Sequence, residues 1–182
     1  MNLTELADRV RSASDAITPY ITKTPLSWAP ALSASSGVEV FLKLENVQVT
    51  GSFKIRGAMN KLLSLNEAEA ASGVIAASSG NHGMAVSYGA MKLGLDAEVF
   101  VPTAAPGHKL ETMRRYGARV RVHGDDCVIA ERQARQTAES RGATYISPYN
   151  DIDVIAGQGT TAVEMAAVSG SSEKDRTDSG KL

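Results

Sequence analysis

The chain has 182 residues, 43% of them hydrophobic and 21% charged, with a formal net charge of -1. That length and composition suffice for a sizeable core, and the near-neutral balance gives no electrostatic reason to bind nucleic acid or an anionic membrane surface. No apolar stretch of about 18 residues is present to span a bilayer, and Met1-Asn2-Leu3-Thr4-Glu5 lacks the basic-then-apolar order of a signal peptide, so a cytoplasmic metabolic protein is expected.

In chain order, Leu3, Leu6, Ala7, Val10, Ala13 and Ile17 recur at helical spacing, with Asn2 and Glu5 placed as a cap and its partner. They predict an amphipathic helix that ends before Pro19 and puts those six positions in the core. Thr24-Pro25-Leu26 reads as extended, residues 29–35 as a helix and Val38-Glu39-Val40-Phe41-Leu42-Lys43-Leu44 as a strand. That strand leads into Thr50-Gly51-Ser52-Phe53-Lys54-Ile55-Arg56-Gly57-Ala58, a turn that opens a helix and sets the Lys54 amine in its first turn. Ser52 is the expected cap, and the unpaired N–H groups beyond it carry partial positive charge that disfavours a protonated ammonium. A neutral lysine amine condenses with carbonyl compounds. On its own the segment also suits an ordinary solvated lysine. Met59, Leu62 and Leu63 supply the apolar face of its helix.

From Gly73 the pattern becomes regular. Strands are expected near Val74, Ala97, Ala118 and Thr144, each followed by a helix, with Gly94, Gly117 and Gly142 as helix stops. Such βαβ units build a parallel sheet with right-handed crossovers, and ligands bind beyond the carboxyl ends of its strands. Ala77-Ser78-Ser79-Gly80-Asn81-His82-Gly83 occupies one such end, between Val74-Ile75-Ala76 and a helical stretch with Met84, Ala85, Val86 and Tyr88. Backbone N–H groups at such a turn bind anions, and the Ser hydroxyls and Asn amide add donors for a carboxylate or phosphate. The alternative is an ordinary capped βα turn, but two Ser, two Gly, one Asn and one His in six residues exceed what capping requires. The segment is neither a P-loop nor a Gly-x-Gly-x-x-Gly fingerprint.

Residues 118–122 alternate as an edge strand does, with Arg119 and Arg121 read as solvated, and Arg114, Arg115, Arg132 and Arg135 fit solvated helix faces. The single Cys127 has no disulfide partner and is read as buried in a helix. His82, His108 and His123 lack acidic or Cys partners at metal-ligand spacing, so no metal is expected.

Taken together, the Lys54 and Ser78 segments resemble the fold-type II pyridoxal phosphate enzymes, in the threonine/serine dehydratase and serine racemase branch. The resemblance extends from about Thr24 to Met165 and includes Glu45-Asn46, Val101-Pro102 and Ala156-Gly157-Gln158-Gly159-Thr160. A cysteine synthase would be expected to carry Ser-Val-Lys-Asp-Arg where this chain has Ser-Phe-Lys-Ile-Arg. The resemblance implies an α/β, tryptophan synthase β-like architecture. Residues 1–72 would be the N-terminal part of a large domain carrying the cofactor lysine, 73–150 a small βα domain with the substrate-carboxylate loop, and 151–168 the start of a return to the large domain. Residues 169–182 are polar and read as a disordered tail. The family's Gly-rich phosphate loop and most large-domain strands are not in the sequence, so an exposed apolar patch is expected where they would pack.

The resemblance also implies roles. Lys54 would hold pyridoxal phosphate, yield it to the substrate's amino group and then remove the α proton. Phe53 would pack beside the cofactor, Asn81 would hydrogen-bond its ring hydroxyl, and Ser78, Ser79, Gly80, Asn81 and His82 would form the loop that holds the substrate carboxylate. A small hydroxy amino acid, serine or threonine, would become a 2-keto acid and ammonia. Ser79 keeps a racemase reading open, since racemisation needs a proton donor on the face opposite Lys54. A third reading is a truncated remnant that catalyses nothing. A homodimer is the implied assembly of a full-length protein, and neither nucleic acid nor membrane is implied as a partner.

Overall fold

The computed structural model describes residues 2–178, with side chains described through residue 168. Helix α1, Leu3–Ile17, starts on the predicted capping box: Asn2 accepts from the Glu5 N–H while the Glu5 carboxylate accepts from the Asn2 N–H. Its buried face is shorter than the sequence pattern suggests. Ala13 and Ile17 are buried, Val10 is half-buried against Gly159, and Leu3 is 85% exposed two turns further out. The apolar repeat thus runs past the point where neighbouring helices cover it.

Strands β1, Leu26–Trp28, and β2, Phe41–Lys43, form an antiparallel pair separated by α2, Pro30–Ser36. Trp28, Leu32, Val38, Phe41 and Leu42 stand exposed on this small unit. A single 3-10 turn, Glu45–Val47, leads toward α3, Lys54–Leu63, and α4, Glu67–Ser72, follows. Ser52 does not cap α3. Phe53 occupies the N-cap position already in helical conformation, with φ -62 and ψ -15, and the Ser52 hydroxyl is buried without a hydrogen-bond partner.

The regular region forms one parallel sheet in the order β5-β4-β3-β6. Its strands are β3, Val74–Ala77, β4, Ala97–Val101, β5, Arg119–Val122, and β6, Thr144–Tyr145. Helix α5, Asn81–Leu93, follows β3; α6, Gly107–Arg115, follows β4; α7, Cys127–Arg141, follows β5; and α8, Ile152–Asp178, follows β6. β4 is buried along its whole length, as expected of a central parallel strand covered on both faces. Val74, Ala76, Val99 and Val101 join α3, α5 and α6 in one core, while Ile75 and Phe100 meet Ala130, Ala134 and Ala138 of α7 in a second. The period-two alternation of each strand assigns its residues to these layers.

Helices α3 and α8 cross where both backbones are bare. A Cβ on Gly157 would lie 2.5 Å from the Arg56 carbonyl oxygen and 2.6 Å from the Gly57 Cα. This contact gives the Gly157-Gln158-Gly159 segment its physical reason: only glycine permits the approach. The backbone of residues 169–178 is helical, where the composition suggested a disordered tail; no proline interrupts α8. Residues 179–182 of that expected tail lie outside the described residues. Among the described residues no helix is long and apolar enough to cross a membrane.

Candidate active site

Lys54 opens α3 at the carboxyl-end side of the parallel sheet. Its Nζ donates to the Pro148 carbonyl at 3.0 Å and lies 5.3 Å from the Phe53 ring centroid. The hydrogen-bond acceptor is thus a neutral carbonyl rather than a carboxylate. Pro148 belongs to the loop that leaves β6, which is tightened by the Asn150 N–H donating to the buried Ser147 hydroxyl at 3.1 Å.

The second motif reaches the same loop. His82 is 3% exposed, and its Nε2 lies 3.0 Å from the Ile146 carbonyl. A carbonyl only accepts, so Nε2 carries the proton and Nδ1 is left as a buried acceptor with no partner. Burial, opposed by the Ile146 hydrogen bond and aided by the Lys54 charge, pushes the His82 pKa down to about 4. His82 is therefore neutral near physiological pH.

Gly80 holds the N-cap position of α5 and no side chain caps the helix. The first-turn N–H groups thus lack the Ser or Asn side-chain cap that an ordinary βα turn would supply. Ser78 instead accepts from the Gly80 N–H at 3.2 Å. A Cβ on Gly83 would lie 2.7 Å from both the Ser78 carbonyl and the Met113 side chain, so the tight entry into α5 requires glycine there. Asn81, the first residue of α5, accepts on Oδ1 from the Lys109 ammonium at 3.2 Å. Ser79 Oγ lies 3.9 Å from Cys127 Sγ. Ser78, Ser79, Cys127, Pro148 and Tyr149 help line a cavity of about 190 Å³.

Cys127 is exposed rather than buried. It begins α7 beyond the end of the sheet, whereas the inward face of that helix belongs to Ala130, Ala134 and Ala138. Arg119 and Arg121 are half-exposed as expected of an edge strand, and both also donate to Glu98, which is buried in β4 and receives a further bond from Arg141.

Two residues beyond Lys54, the Arg56 side chain is completely buried. Its Nε donates to Glu45 at 2.9 Å and its Nη1 to Glu164 at 2.8 Å and Thr160 at 3.2 Å, while Lys43 also pairs with Glu164. Burial alone would raise the Glu45 and Glu164 pKa values, but the hydrogen bonds from Arg56, with Thr24 on Glu45 and Lys43 on Glu164, override it and hold both below the usual carboxylate range. Two cations and two anions balance inside the cluster, which ties the start of α3 to the Glu45 turn and to α8.

The structure therefore brings Lys54 and the Ser78–His82 segment to a common loop, and it sets Phe53 beside Lys54. Sequence reasoning missed Ile146, Pro148, Lys109 and the approach of Cys127 to Ser79. The usable signal was topological: each follows the carboxyl end of a parallel strand, where ligands bind.

The family described as pyridoxal-phosphate dependent enzyme matches residues 17–176. An L-threonine ammonia-lyase of Thermotoga maritima is 40% identical over 156 residues, 86% of this chain and 39% of that protein. An L-threo-3-hydroxyaspartate ammonia-lyase of a Pseudomonas species is 39% identical over 170 residues, 93% of this chain and 53% of that protein. The solved structure of maize serine racemase superposes with a TM-score of 0.82 at 35% identity, covering 87% of this chain and 48% of that one. The chain spans about half the length of these relatives.

Proposed function

The chain belongs to the pyridoxal-phosphate dependent enzyme family, and from that premise we propose that it carries the lysine and the carboxylate-binding loop of an ammonia-lyase acting on a small hydroxy amino acid. One observation carries the reading: Lys54 and His82, from separate motifs, hydrogen-bond to carbonyls two residues apart, Pro148 and Ile146. The motifs thus share one edge of one site.

The residues present fit the cofactor. Lys54 offers an amine whose partner is only a neutral carbonyl, the Asn81 amide offers a donor suited to a ring oxygen, and His82 Nδ1 is a buried acceptor still without a partner. When bound, pyridoxal phosphate supplies an electron sink for the pair left as a bond to the substrate's α carbon breaks.

The protein's own groups do the rest. Lys54 Nζ would hold the cofactor through its aldehyde carbon, and once the substrate's amino group had taken its place there, the freed Nζ would accept the α proton. The α5 N-terminus, with Ser78, Ser79 and Gly80, holds the substrate carboxylate on N–H and O–H donors. Asn81 would donate from Nδ2 to the ring oxygen. Neutral His82 fixes the Ile146–Pro148 loop without adding a competing charge, and the Phe53 ring stands beside Lys54 Nζ. The hydroxyl on the β carbon would then take a proton and leave as water, and addition of water at the α carbon would release the nitrogen as ammonia, leaving a 2-keto acid.

Racemisation of the same amino acids is the second reading, favoured by Ser79, whose half-buried hydroxyl faces the 190 Å³ cavity beside Cys127. Supplied with pyridoxal phosphate, the protein is expected to release ammonia and a 2-keto acid in equal amounts from L-serine, L-threonine or L-threo-3-hydroxyaspartate. D-serine formed from L-serine would support racemisation. Undiminished release by Lys54→Ala would overturn the assignment.

A further inference from the structure

We propose that Lys109 is a positioning residue: it decides which end of the Asn81 amide faces the cofactor. The inference rests on the reading that Asn81 meets the cofactor's ring oxygen. A side-chain amide has an accepting end and a donating end of nearly equal shape, so something outside it must choose between them. An ammonium has three donors and no acceptor. Lys109 Nζ, 3.2 Å from Asn81 Oδ1, therefore engages the carbonyl end and turns Nδ2 away from itself. An ionised ring oxygen only accepts, and this orientation presents it with a donor. The reverse orientation would set two oxygens against each other.

The fold holds Lys109 in place for this task. It lies in the first turn of α6, where its own N–H donates to the Pro106 carbonyl at 3.0 Å, and α6 follows β4, the neighbour of β3 in the sheet. Lys109 is half-buried, and a Cβ on Gly80 would come within 3.6 Å of its Nζ. The ammonium thus lies over the Ser78–His82 segment rather than out in solvent. Asn81 itself is exposed at the start of α5, and among the described residues Lys109 alone hydrogen-bonds its amide.

The test compares wild type, Lys109→Arg and Lys109→Glu in two measurements. The first is the 15N-resolved side-chain amide of Asn81 without cofactor. In Lys109→Glu the new carboxylate accepts from Nδ2, so the amide flips and its protons exchange more slowly than in wild type, while Lys109→Arg behaves as wild type. The second is pyridoxal phosphate binding, read as the fraction fixed on Lys54 by borohydride across a titration. Lys109→Glu is expected to bind about tenfold or more weakly, with Lys109→Arg rescuing most of the loss. The deficit should persist at high salt, because a flipped amide is local whereas long-range repulsion is screened. Wild-type-like binding by Lys109→Glu, or equal damage in Lys109→Arg, would overturn the proposal. Absence of any fixation on Lys54 in wild type would instead remove the cofactor reading, and the Asn81 amide signal would still decide the orientation.

Discussion

Lys54 Nζ donates to the Pro148 carbonyl at 3.0 Å, joining positions 94 residues apart in the chain. This bond closes the site, because Pro148 also lines the cavity that contains Ser78 and Ser79. A lysine in the first turn of α3 and a loop after the last strand of the sheet therefore share one boundary.

Arg56 anchors the start of α3, two residues beyond Lys54. Removing it leaves half-buried Glu45 with only Thr24 and Glu164 with only Lys43 of the partners named above, and breaking a buried pair by removing one partner typically costs about 3–5 kcal/mol. Arg56→Ala is expected to lower the urea midpoint accordingly. A midpoint equal to wild type would show that the cluster does not hold α3.

Gly157→Ala tests the helix crossing. The added methyl would meet the Arg56 carbonyl at 2.5 Å and Gly57 at 2.6 Å, both backbone atoms that cannot swing aside. Overpacking of this kind costs about 1–3 kcal/mol. Thermal melting should show the loss, and the same substitution at Gly107, where no atom lies within 4 Å, should not.

Stability should fall with mild acid because of His82. The unfolded chain binds a proton there near the ordinary value of about 6.5, whereas the folded chain resists until about 4. Between those values the unfolded state holds more protons, so stability is full above the window and declines as pH drops through it, by about 2 kcal/mol from about pH 7 to about pH 5. Glu45, Glu98 and Glu164 are held below their ordinary range, so their contribution is present above about pH 4.3 and disappears only below it. Chemical denaturation at both pH values, in wild type and His82→Gln, checks the sign: the variant should show a flatter profile. A steeper decline in His82→Gln would contradict the account.

Cys127 is exposed and the sequence contains no other cysteine, so one thiol per chain should titrate with an aromatic disulfide reagent under native conditions. The adduct would stand against Ser79, 3.9 Å away. A thiol that reacts only after denaturation would show the α7 start to be covered.

Much of this architecture was legible in the sequence. The Asn2 and Glu5 capping box, the four βα repeats and the stops at Gly94 and Gly142 follow from local chemistry, which tertiary packing did not override. The two motif segments were visible because their residue types are dense and unusual for turns. What escaped was long-range. Nothing near Pro148 in sequence announces that its carbonyl will meet Lys54, and nothing around Lys109 says that its ammonium will reach Asn81. Cys127 departs from expectation for a different reason: a lone cysteine favours burial by residue type, but its place at the first residue of α7 puts it beyond the sheet. Ser52 does not cap because α3 begins at Lys54, which puts Phe53, a side chain with no acceptor, at the N-cap position.

The central claim is that Lys54 is the amine that takes up pyridoxal phosphate, and the most direct measurement is borohydride reduction of the mixed protein and cofactor followed by peptide mapping. One cofactor mass per chain, on Lys54 and lost in Lys54→Ala with the fold intact, is the predicted result. A modification spread over surface lysines, with Lys54 unmodified, would contradict it.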